Sequence, residues 1–120
     1  MKIALTTTGS TLDSPVDPRF GRAKAFVIYD TETDEYTTAG NDQNLNAAQG
    51  AGIQAAKNVA AHGVQAVVTG HVGPKAFSTL AAAGIAVYTG ATGTIADAIE
   101  QFKQDRLQQA DQADVQGHWV

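Results

Sequence analysis

The chain has 120 residues, with 12 acidic and 8 basic side chains, a formal charge of −4 and no cysteine. That length suits one domain with a modest core, and 43% apolar against 17% charged residues marks a folded chain. The missing cysteine excludes disulfides, thiolate nucleophiles, zinc ribbons and thiolate-held iron–sulfur clusters together.

A short apolar run over 3–8, ending in Thr8-Gly9, predicts a first strand. Residues 9–22 follow as a long loop punctuated by Ser14-Pro15 and Asp17-Pro18. Strands are expected over 25–29 and 35–38, joined as a hairpin by the polar turn 31–34. The polar stretch 40–52 reads as another loop. From about Ala51, the spacing Ile53, Ala56, Val59, Ala60 gives one helical face, closed by His62-Gly63. An internal echo comes next. Residues 63–70 (GVQAVVTG) and 84–90 (GIAVYTG) each give a helix-ending glycine, a strand, a Thr-Gly and a glycine loop before a new helix. Pro74 opens the first of these helices, and Thr94-Ile95-Ala96-Asp97 opens the second as a capping pair. Residues 1–107 are expected to form the domain and 108–120 a frayed, polar tail carrying His118 and Trp119. The order βββαβαβα implies a mixed five-stranded α/β sheet of order 3-2-1-4-5, with helices as outer layers, as in the ribonuclease-H-like three-layer fold.

In such a sheet ligands bind outside the carboxyl ends of the parallel strands. The loops 9–24, 40–52, 70–75 and 90–94 are expected to share that rim, and they hold nine of the twelve glycines. Tight βα connections alone account for many of these. Arg19, Arg22, Lys24 and Lys75 also fall there, against Asp13, Asp17 and Asp42, so the rim is slightly positive. Asp30, Glu32, Asp34 and Glu35 make the opposite end acidic. Cationic side chains beside helix N-termini suit an anion: a phosphate, a carboxylate or an anionic metal–sulfur cluster. An ordinary surface ion pair of Arg19 or Arg22 with Asp13 or Asp17 is the plainer alternative. Gly70-His71-Val72-Gly73-Pro74-Lys75 is the most informative segment, because it sets an imidazole and an ammonium around a glycine turn at a helix start. His71 is the leading candidate for direct metal ligation, or it donates to an anion, with His118 beside Trp119 in the tail as a weaker one.

Other chemistries lack their residues. GxxxxGK[ST] does not occur, Gly50-Ala51-Gly52 is too short for a dinucleotide fingerprint, and Ser10 and Ser14 have no clear histidine partner for a triad. The expected central strands carry no carboxylates for a two-metal nuclease site. The net charge argues against a general nucleic-acid partner. No apolar run approaches a membrane span, and MKIALTTTGS lacks the long apolar stretch of a signal peptide. A cytoplasmic protein with no membrane or nucleic-acid partner, monomeric with a dimer as the alternative, and not an enzyme, is therefore expected.

The N-terminal MKIALTTTG, the run 16–23 (VDPRFGRA) followed by the strand residues FVIYD, and the turn TGHVGP at 69–74 together resemble the dinitrogenase iron–molybdenum cofactor biosynthesis family over about residues 2–105. That resemblance implies a ribonuclease-H-like fold and a carrier or scaffold for metal–sulfur clusters. The cysteine-free chain is similar to a subgroup associated with a molybdenum–copper sulfide cluster held without covalent attachment; an iron–molybdenum-type cluster is the weaker match. Carried onto this sequence, the resemblance makes Arg19, Phe20, Gly21, Arg22, Lys24, Gly70, His71, Val72, Gly73 and Lys75 the cofactor-binding residues. Basic groups would offset the charge, glycine N–H groups would bond to sulfide, and Phe20 with Val72 would exclude water, with residues 47–52 and 89–92 completing the pocket. It also implies assembly with Walker-type ATPase partners, which leaves a phosphate- or nucleotide-responsive interaction module as the alternative reading.

Overall fold

A computed structural model describes residues 1–41 and 51–113. Strand β1 (Lys2–Thr7) is followed by a single 3₁₀ turn (Phe20–Arg22), β2 (Ala25–Asp30), β3 (Tyr36–Gly40), α1 (Ala51–Ala60), β4 (Ala66–Val68), α2 (Pro74–Ala82), β5 (Ala86–Thr89), α3 (Ile95–Lys103) and β6 (Gln108–Gln109). The strands form one mixed sheet of order β3-β2-β1-β4-β5-β6. β1 runs antiparallel to β2 and parallel to β4, and β4 is parallel to β5. This is the expected ribonuclease-H-like order, with one correction: the sheet has six strands, not five. Gln108 and Gln109, expected to open a frayed tail, pair antiparallel with Thr89 and Tyr88. Their polar sequence carries no strand signal; the unfilled edge of β5 recruits them.

The alternation of each strand separates two cores. Ala4, Phe26, Ile28, Val67 and Val87 face α1 and α2, where they meet Ala55, Val59, Ala76 and Leu80. Ile3, Leu5, Val27, Ala66 and Val68 face α3, where they meet Ile95, Ala98 and Ile99. β1 and β4 are covered on both sides, which explains why their sequences run nearly continuously apolar. The echoed glycines end their helices as expected, with Gly63 and Gly84 at φ of 71° and 74°. The capping pair of α3 is a full capping box: Thr94 Oγ1 accepts from the Asp97 N–H, and the Asp97 carboxylate accepts from the Thr94 N–H.

At the end away from the carboxyl termini of the parallel strands, Asp34 adopts φ of 62° in the β2–β3 turn. Its carboxylate accepts from the Tyr29 hydroxyl and from Lys103 Nζ at 3.1 Å, and Lys103 lies 5.4 Å from the centre of the Tyr29 ring. The hairpin is thereby tied to the end of α3.

Candidate functional site: a glycine rim with basic side chains

The rim is built where the two family-like segments meet. Residues 18–20 and 70–72 run side by side as a short parallel bridge between Arg19 and His71. The His71 N–H donates to the Pro18 carbonyl at 2.7 Å, and the Phe20 N–H donates to the His71 carbonyl at 3.2 Å. Segments about fifty positions apart in the chain thus share one backbone ladder. Gly70 permits the approach, because a Cβ there would lie 2.8 Å from both Pro18 Cα and the Pro18 carbonyl oxygen. Its role is close packing of backbone on backbone.

Asp17 prepares the first segment. One of its carboxylate oxygens accepts the Arg19 N–H at 3.1 Å, an Asx-type turn, and its own N–H and carbonyl are held by Thr6. Asp17 therefore engages the backbone of Arg19. Among the described residues no ion pair joins a carboxylate to Arg19, Lys24 or Lys75, and all three are exposed. The surface ion pair weighed for Arg19 is thus not formed. Phe20 and Val72 are fully buried in the α1/α2 core. Phe20 stacks obliquely on Phe26 at 5.8 Å between ring centres, a contact of about 0.5–1.5 kcal/mol. These two side chains anchor the segments from below. Gly21 is buried in the 3₁₀ turn, Arg22 is half-buried at its end, and Lys24 precedes β2. Ala25 pairs with Thr7 and with Gly40, so Lys24 stands at the carboxyl end of β1.

The helix starts differ sharply. α3 is closed by its capping box and by two loop carbonyls: Ile95 donates to Ser14 and Ala96 to Leu12, each at 2.9 Å. The 9–19 loop reaches α3 because Val16 bridges Thr7 and bonds to Gly93. α2 starts from Gly73 with no side-chain cap hydrogen bond among the described residues, and Lys75 is exposed within its first turn. Gly52, in the first turn of α1, packs on Ala76, in the first turn of α2; a Cβ on Gly52 would lie 3.1 Å from the Ala76 Cβ. α1 also packs on the 3₁₀ turn. The amino ends of α1 and α2 thus converge beside the Arg19–His71 bridge, and both dipoles raise the local potential. Gly90 and Ala91 bond back to Gly70 and Thr69, so the 89–92 loop also borders this edge.

The structure therefore brings the two predicted segments together, though Phe20 and Val72 lie beneath the rim. The sequence reading missed the Gly52–Ala76 contact and the Asp17 turn, the second of which was signalled by Asp17-Pro18. Asp42, residues 47–50, His118 and Trp119 lie outside the described residues. No group of three or more His, Cys, Asp or Glu side chains that could hold a metal ion occurs among the described residues. Nor is any described helix long and apolar enough to cross a membrane.

The chain is a small ribonuclease-H-like α/β protein, and the relatives it matches place it in a metal-cluster binding and cofactor-biosynthesis class. The family model of the dinitrogenase iron–molybdenum cofactor matches residues 1–105, and the chain belongs to that family. It is similar to the orange protein from Desulfovibrio gigas, solved in its apo form, with 40% identity over 95% of this chain and 96% of that one and a TM-score of 0.92. A Thermotoga protein of the DUF35 family is 36% identical, with 90% of this chain and 91% of that chain covered and a TM-score of 0.79. An uncharacterized protein of Methanocaldococcus jannaschii is 34% identical over 90% of each chain.

Proposed function

We propose that the protein is a noncovalent carrier, not a catalyst, for an anionic metal–sulfur cluster of the molybdenum–copper sulfide type, held at this rim in the cytoplasm. The carrying observation is that Arg19 and Lys75, which have no ion pair among the described residues, and the start of α2, which has no side-chain cap among them, converge on the Arg19–His71 bridge. A thiometallate brings its own sulfide ligands, so it calls for cations and N–H donors and no protein thiolate, and this chain has no cysteine. A bare metal ion would call for a ligand cluster instead. Similarity to the orange protein, described in an apo form, supports cargo that is removable. Arg19, Lys24 and Lys75 would offset the charge, and His71 would donate to the cluster or ligate it.

The test is reconstitution from tetrathiomolybdate and a copper salt, followed by desalting. The expected product is coloured and holds both molybdenum and copper. Arg19→Glu and Lys75→Glu should each lower retention several-fold while leaving thermal stability unchanged, since neither side chain packs in the core. A colourless, metal-free product after desalting would defeat the carrier reading.

The same uncapped helix start would also accept a phosphate, which keeps a nucleotide-responsive module working with an ATPase as a second reading. A thermal shift with phosphate or nucleotide, and none with thiometallate, would favour it.

A further inference from the structure

The two edges of the sheet are protected unequally. β6 is two residues long, whereas β3 presents five residues, Tyr36 to Gly40, with no other strand on its outer side among the described residues. Natural edge strands are usually blunted by charge, proline or a bulge. The sequence YTTAG has neither charge nor proline, its register with β2 is unbroken, and all but Ala39 are exposed.

The ladder defines which backbone groups are left over. Asp30 donates to the Glu35 carbonyl and Asn41 to the Lys24 carbonyl. Because bonded and non-bonded pairs alternate in an antiparallel ladder, Thr37 and Ala39 bond inward to Ile28 and Phe26. Tyr36, Thr38 and Gly40 therefore point their N–H and C=O groups outward. Those residues are spaced symmetrically about Thr38. A second copy, antiparallel across a two-fold axis at Thr38, would set Thr38 against its own equivalent and Tyr36 against Gly40, satisfying every outward group.

Charge favours the same arrangement. Neither Glu35, at the acidic end of β3, nor Lys24, beside its basic end, has an ion pair among the described residues. Antiparallel pairing in this register sets Glu35 of one copy opposite Asn41 of the other, in the row that continues to Lys24 on β2. Both Glu35 and Lys24 fall on the α1/α2 face, since they are in phase with Ile28 and Phe26. The acidic hairpin of each copy then lies beside the basic rim of the other, at both ends of the interface.

We propose that β3 is a self-association edge, through which two copies of this chain join their sheets antiparallel about Thr38. The inference does not depend on what the rim carries. Sedimentation velocity over a concentration series of the apoprotein should show reversible doubling of mass. Amide hydrogen exchange should slow at Tyr36, Thr38 and Gly40 as concentration rises, while Thr37 and Ala39 stay protected throughout. Thr38→Lys sets two like charges face to face at the axis and should abolish the dimer. If that variant does not fold, the wild-type exchange pattern decides alone. A monomer throughout the series, a dimer whose Tyr36, Thr38 and Gly40 amides exchange freely, or protection only on adding an extended peptide of another protein would each overturn the proposal.

Discussion

At the scale of single residues, the glycines divide into distinct jobs. Gly63 and Gly84 supply left-handed turns, whereas Gly70 supplies room. A Cβ at Gly70 meets Pro18 backbone, which has no flexible end to swing away. Gly70→Ala should therefore cost about 1–3 kcal/mol by overpacking, measured by denaturant unfolding, and should loosen the Arg19–His71 bridge. A variant as stable as wild type would show that the two segments separate freely. Phe20 has an equally definite role. It was expected to wall the ligand, but it lies wholly in the core and holds the FGR turn in place. An aromatic beside two arginines reads the same from sequence whether it points out or in.

At the scale of elements, the link between the β2–β3 turn and α3 is electrostatic and therefore titrates. The Tyr29 hydroxyl, and next the Lys103 ammonium, hold the Asp34 carboxyl below the ordinary carboxylate range. A carboxyl whose pKa is lowered by folding stabilises the fold above its unfolded value of about 3.9. That contribution disappears as pH falls through the lower folded value. Asp34→Asn keeps a residue type tolerated at positive φ and removes the charge. Its melting temperature should fall below wild type near neutral pH, and the gap should close below about pH 4. A gap of constant size across that range would assign the effect to packing instead. The helix starts were less legible than this turn. Thr94 and Asp97 announce the cap of α3, but nothing local announces that residues 12–14 reach across to close the same helix end. Among the described residues α2 has no side-chain cap, and the 9–19 loop reaches the start of α3 only.

For the whole molecule, the two cores lie on opposite faces of the sheet and neither includes the exposed rim cations. Folding is thus expected to be independent of cargo. Stripping the cluster should leave far-UV circular dichroism and cooperative unfolding intact. Loading should raise stability only by mass action, about 2.7 kcal/mol at a hundredfold excess over Kd. An apoprotein without a cooperative transition would show instead that cargo completes the fold.

Much of this architecture follows from sequence alone, because its signals are local. Apolar alternation set the strands, the helical spacing and Gly63 set α1, and the 63–70 and 84–90 echo set two parallel crossovers, whose handedness leaves few topologies. The absence of cysteine excluded thiolate chemistry, and the placing of basic residues in loops at one end made an anion site the expectation there, beside a plain surface ion pair. Tertiary structure decided what no periodicity encodes. It paired Pro18 with Gly70, turned Phe20 and Val72 inward, closed α3 while leaving α2 without a side-chain cap among the described residues, and added Gln108-Gln109 to the open edge of β5. Each depends on contacts between segments distant in the chain, where distance and direction choose the role and residue type does not.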